Sequence, residues 1–138
     1  MKSQLMLATL VTTMAMSLPA QAQQACSAYT VDRPGTRYGY EEINNCDIIN
    51  GTFANEDWRV TISGWEPGAY RYQGTDRSNG NSIELFDFYV TGTTERPQYR
   101  FRNGDTSYVV TFRYSDPDTV RLEVFQGNNR LLNELLYR

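Results

Sequence analysis

The carboxylates come first among the side chains that could do chemistry here. The chain has 16 Asp and Glu, some of them adjacent or nearly so: Glu41-Glu42, Glu56-Asp57 and Asp116/Asp118. Two carboxyl groups about 5–10 Å apart can hydrolyse a glycosidic bond when one is held protonated. Carboxylates also hold calcium, which needs six or more oxygens converging from one loop. Asp76 to Glu84 comes nearest to such a loop, with Asp76, Ser78, Asn79 and Asn81 ahead of Glu84. Gly80 stands at its fifth position, where the EF-hand needs a ligand. Turn chemistry explains the run better, and neither a metal site nor a cofactor is expected.

Other chemistries are closed off by what is missing. The chain contains no His, and its single Lys and all four Met lie within the first 16 residues. Without His there is no Ser-His-Asp or Cys-His relay and no imidazole metal site. Beyond residue 16 there is no Lys for a Schiff base or a phosphate-binding loop. Proton transfer near neutral pH would fall to Asp, Glu, Tyr or a thiol, each needing a large shift in pKa.

The first 22 residues read as an address. Lys2 is followed by an apolar run from Leu5 to Met16, then by Ser17-Leu18-Pro19 and Ala20-Gln21-Ala22. A charged start, a short apolar run and an A-x-A site are the parts of a cleavable secretory signal peptide. The run is too short for a spanning helix of about 20 residues. The expectation is an exported protein, periplasmic or extracellular, with a signal peptide over 1–22 and one domain over 23–138. That domain carries only Arg as cation, and its net charge is about −4. It contains no second apolar segment long enough to span a membrane.

Cys26 and Cys46 both remain after cleavage, and in an oxidising compartment an even count suggests a disulfide. The bridge would strap a loose N-terminal segment onto the body of the domain. The spacing is far from the C-x-x-C of a redox pair.

Ten Tyr and two Trp are the residues most suited to a binding site, since each combines a large apolar body with a polar tip. Rings near turns are the first choice over rings in mid-strand. Tyr38 and Tyr40 sit in a Gly-flanked segment inside the proposed disulfide loop, and Trp65 and Tyr70 flank Pro67-Gly68. With Tyr72 these are the candidate ligand-binding residues. Arg alternates with rings in Tyr70-Arg71-Tyr72, Tyr99-Arg100-Phe101-Arg102 and Phe112-Arg113-Tyr114. In strands such alternation sends rings one way and guanidiniums the other, so nucleic acid is not an expected partner.

The elements that must hold these groups are strands. From Trp58 onward apolar and polar residues alternate with period two. Ser82 to Thr91 is apolar on both faces and is expected to form a central strand. Asn103-Gly104 predicts a two-residue hairpin loop placing Tyr99 opposite Tyr108. Pro117 to Thr119 are expected to form the next loop, and Gly127-Asn128-Asn129 the third. Leu131, Leu132, Leu135 and Leu136 fit a helical stripe or a closing strand, with strand preferred. Counting Ile48 to Phe53 as the first, about eight strands result.

The predicted fold is all-β: an antiparallel meander forming a small up-and-down barrel, with a two-layer β-sandwich as the alternative. The expected function is non-enzymatic binding, of a small molecule held in an aromatic-lined barrel. The alternatives are a protein-interaction or envelope-structural module with a filled core and, third, a carboxylate-based hydrolase.

Overall fold

The computed structural model describes residues 24–46, 50–66 and 69–138, with the backbone alone for Glu42, Trp65 and Glu66. The signal peptide read over 1–22, the Pro67-Gly68 turn and the Ile48 start of the first expected strand lie outside the described residues. The elements are β1 (Ala28–Asp32), β2 (Tyr40–Asn44), β3 (Gly51–Ala54), β4 (Trp58–Glu66), β5 (Ala69–Asp76) and β6 (Ser82–Leu85). They continue with β7 (Phe88–Thr93), β8 (Arg96–Asn103), β9 (Thr106–Arg113), β10 (Asp116–Gln126) and β11 (Asn129–Tyr137). No helix among the described residues is long and apolar enough to cross a membrane.

The fold is all-β, and its main sheet is an antiparallel meander. Nine strands run in the order β6-β5-β4-β3-β11-β10-β9-β8-β7, and β1-β2 form a separate hairpin. Alternation decides which residues enter the core. Val60 and Ile62 of β4, Tyr99 and Phe101 of β8, and Val110 and Phe112 of β9 are buried, whereas Arg59, Arg102 and Arg113 are exposed. Burying each such ring or branched side chain contributes about 1.5–3 kcal/mol.

The sheet does not close into a barrel. Its edges, β6 and β7, share no ladder and are joined only by the link Phe86-Asp87. Instead the two halves of the sheet face each other across one core, as in a sandwich. Rings meet from opposite halves: Phe53 and Phe112 at 6.0 Å, Tyr70 and Tyr99 at 5.8 Å, Tyr72 and Phe101 at 5.4 Å. On the other side the halves meet at β3 and β11, where Ala54 opposite Tyr137 is the one paired position. Side chains reinforce that seam: Asn55 Nδ2 donates to the Leu135 carbonyl at 3.3 Å, and the Arg138 guanidinium lies 5.1 Å from the centre of the Phe53 ring.

Several local expectations are corrected. The Ser82–Thr91 run is not one central strand; it breaks at Phe86-Asp87 and supplies both edges of the sheet. The break shifts the phase by one residue. Ile83 and Leu85 face the core before it, Phe88 and Val90 after it, and Phe86 and Tyr89 are exposed. A run apolar on both faces is thus two strands with opposite parity.

The β8–β9 loop is Gly104-Asp105, so Phe101 faces Tyr108 and Tyr99 faces Val110. Only the first loop residue, Gly104, has positive φ (64°), the requirement of a II′ turn; an Asn-Gly loop of type I′ would need Asn103 left-handed too. Shifting the register by two keeps the faces intact.

The next loop is Tyr114-Ser115, and Pro117 lies inside β10. Proline has no N–H to give a ladder, and the register is irregular between Asp116 and Arg121, where Pro117 sits. The third turn forms as Gly127-Asn128, with Gln126 opposite Asn129. The C-terminal leucine run is the strand β11. The β1-β2 hairpin, absent from the expected eight strands, lies inside the disulfide loop.

Candidate functional site

The two ends of the sandwich differ. At one end the N-terminal segment forms a strap. Cys26 and Cys46 are bonded, with Cα atoms 5.5 Å apart. Backbone contacts tie the strap to the end of β7: Cys26 N–H donates to the Gly92 carbonyl at 3.0 Å, and Thr94 N–H to the Gln24 carbonyl at 2.9 Å. Beneath it the Tyr99 hydroxyl donates to the Cys46 carbonyl, and Tyr70 packs edge-on against Phe88 with centroids 5.2 Å apart. This end is filled.

The other end opens into a cleft of about 420 Å³. Trp58 enters it from the first position of β4, and Tyr72 and Gly74 from the inner face of β5. Ile83 of β6, Tyr108 of β9 and Val124 of β10 complete the walls with Leu131 and Leu132. A bulge shapes the rim: Val124 faces Leu132 and Phe125 faces Arg130, which leaves Leu131 unpaired and exposed.

Gly74 decides the shape of the floor. A Cβ at this inward position would lie 2.7 Å from both Cε1 and the hydroxyl oxygen of Tyr72. With no side chain there, the Tyr72 ring lies along β5 over Gly74 and carries its hydroxyl toward the opening. Tyr108 stands beside it, with ring centroids 5.3 Å apart. Burial pushes the Tyr72 phenol well above its ordinary range, and Tyr108 adds to the shift. Among the described residues neither hydroxyl has a hydrogen-bond partner. Asp76 lies at the lip; hydrogen bonds from the Ser78 hydroxyl (2.6 Å) and backbone N–H (2.9 Å) hold its carboxyl below the usual range. The arrangement offers apolar ring-stacking surface with two phenols to orient a polar atom. No protein-family model, curated protein or solved structure matches this chain.

Of the five candidate residues from sequence, the four whose side chains are described do not gather at one place. Among these four, Tyr72 alone lines the cleft. Tyr70 lies on the same face of β5 but toward the strap, where Asn44 Nδ2 donates to its hydroxyl at 3.4 Å. Tyr38 and Tyr40 belong to the strap hairpin, their rings 6.1 Å apart, with the Arg37 guanidinium 5.3 Å from the Tyr38 ring. The Trp65 side chain lies outside the described residues. Trp58 and Tyr108 were missed because each lies in phase with the buried residues of a regular alternating strand and reads as core. The one sequence signal was Gly74, a residue without a side chain at an inward position of an otherwise apolar face.

Proposed function

We propose that this chain is an exported, non-enzymatic binding domain that holds a small, largely apolar, ring-bearing molecule between Trp58, Tyr72 and Tyr108. The observation that carries the reading is the cleft of about 420 Å³ at the end of the sandwich opposite the strap. Ligand pockets usually measure about 300–1,000 Å³ and combine apolar walls with a few polar groups. Trp and Tyr faces suit a flat ligand, and the Tyr72 and Tyr108 hydroxyls supply donors for an oxygen or nitrogen on it. The disulfide fits an oxidising compartment, in line with the signal peptide read from the sequence. Catalysis by carboxylates finds little support, because Asp76 at the cleft lip is held ionised where an acid catalyst must be kept protonated.

The test is titration with the apolar fluorophore anilinonaphthalene sulfonate, alongside native mass spectrometry of protein from its own secreted fraction. The expected results are saturable one-to-one binding and a weakening of about tenfold in Leu131→Arg or Ile83→Arg, a loss of about 1.4 kcal/mol. Unsaturable binding, or binding indifferent to both variants, overturns the reading.

A second reading, a protein-interaction module, draws on the strap hairpin. Tyr29 and Val31 project from β1 on one side, and both are exposed together with Tyr38. Loss of a partner on Tyr29→Ser/Val31→Ser, with the fluorophore still bound, would favour it.

A further inference from the structure

The outer face of β8, β9 and β10 carries a polar concavity that shares no residue with the apolar cleft. It holds about 250 Å³, and Arg96, Gln98, Thr111, Arg113 and Arg121 are among its lining residues. Strand register explains the grouping. Gln98 pairs with Thr111, and Thr111 with Arg121, which makes one cross-strand row. Arg96 lies two residues before Gln98 and Arg113 two after Thr111, so the strand period of two brings both to the same face. A neighbouring hollow of about 470 Å³ is lined by Arg96, Gln98 and Arg113 again, together with Glu95.

The floor is built. Thr111 is buried, and its hydroxyl accepts from Gln98 Nε2 at 3.4 Å. The Gln98 carbonyl oxygen accepts from Thr91 (3.1 Å) and from Arg100 (3.4 Å). The Arg121 guanidinium is held by the neutral Asn133 side chain at 2.7 Å. Two carboxylates, Asp116 and Glu123, also line the hollow, and Glu123 is occupied by Arg130 at 3.3 Å. Among the described residues neither Arg96 nor Arg113 forms an ion pair, although Asp116 pairs with Arg113 in the strand register. Among the described residues none of these three guanidiniums has a carboxylate within ion-pair distance, and in a chain with a net charge of −3 they outnumber the two carboxylates, Asp116 and Glu123, that line the same hollow. Mutual repulsion between these cations is relieved by an oxyanion, which a guanidinium binds with two parallel hydrogen bonds.

We propose that Arg96, Arg113 and Arg121 form a binding site for a compact oxyanion, a phosphate, sulfate or carboxylate group. The group is either a free ion or the acidic substituent of a sugar, whose hydroxyls the adjoining hollow accommodates. The test follows the Nε–Hε resonances of the three arginines during titration with inorganic phosphate, sulfate, glucose 6-phosphate and glucuronate. Saturable shifts confined to these three side chains are expected with at least one probe. Arg113→Gln and Arg121→Gln should each weaken binding about tenfold, and Arg33→Gln, which removes the same charge from the strap, should leave it unchanged. Binding of the sugar probes alone assigns the group to a saccharide; binding of the inorganic ions with equal affinity assigns a free anion. Absence of saturation with every probe up to about 20 mM, far above a millimolar Kd, overturns the proposal. Equal weakening in Arg33→Gln also overturns it, since that marks general charge attraction.

Discussion

The hydroxyl of Tyr99 donates to the carbonyl oxygen of Cys46 at 2.7 Å, in a site closed to solvent. One bond joins the middle of β8 to the end of the strap, 53 residues away in sequence. It complements the Cys26–Cys46 bridge, which closes the strap on itself but does not hold it down. Tyr99→Phe leaves that carbonyl buried without a donor, and a loss of about 1–3 kcal/mol is expected. Urea denaturation measures it. Binding in the cleft at the opposite end should not change, and a parallel loss there would break the separation of the two ends.

Reduction of the disulfide removes a constraint across a 20-residue separation, worth about 3 kcal/mol in the chain-entropy account. The expected outcome is early proteolysis between residues 27 and 45 while the nine-stranded sheet keeps its β-sheet circular dichroism. Simultaneous loss of strap and sheet on reduction would show that the sheet cannot stand without it.

Gly74→Ala is expected to destabilise the fold by about 1–3 kcal/mol, since a methyl group meets the Tyr72 ring well inside contact distance. The ring must swing away from β5, so fluorophore affinity should fall as well. Gly64→Ala is the control, with open space around its Cβ position. Equal stability of the two variants by thermal melting would contradict the account of the floor.

Alkaline pH should weaken the fold through Tyr72. Burial raises its folded pKa above the unfolded value of about 10, so the unfolded chain loses the proton first. The contribution is complete below about pH 10 and is lost as pH rises toward the folded value. Denaturation midpoints at pH 8, 10 and 11 should therefore decline in that order, and less steeply in Tyr72→Phe. Identical slopes in the two proteins would remove Tyr72 as the cause.

Arg138 is expected to matter more than its terminal position implies. Its guanidinium packs on Phe53 and donates to the Asn50 carbonyl at 3.3 Å, and its backbone N–H donates to the Asp118 carbonyl at 2.8 Å. The ion pair with Asp118 is exposed and adds little. Arg138→Ala should cost about 1 kcal/mol, chiefly the ring contact. Faster hydrogen exchange at Phe53 and Ala54, with β8 and β9 unchanged, is the signature to look for.

Period-two alternation made most strands legible, because it depends only on which face each residue presents to the core. It placed Val60, Ile62, Tyr99, Phe101, Val110 and Phe112 on buried faces. Alternation says nothing of position along a strand, so Trp58 and Tyr108 looked like their buried neighbours although both line the open cleft. It also cannot tell a two-faced strand from two strands of opposite parity, the error at Phe86-Asp87. Turn composition located hairpins but not loop positions: Gly104 opens its loop where the Asn-Gly signal put it second. Closure was not legible at all. Whether a meander seals into a barrel depends on pairing between residues far apart in the chain, here one position between β3 and β11 and none between β6 and β7.

That sparse pairing also orders the assembly of the molecule. Every other neighbouring pair in the nine-stranded sheet is consecutive in the chain, so β3–β6 and β7–β11 can each zip up from hairpins nucleated at their turns. The β3–β11 seam must instead bring together Asn55 and Leu135, 80 residues apart, and loop-closure entropy opposes that step until both ribbons exist. Two local ribbons therefore form early, and the junction between them is the slow, late event of folding.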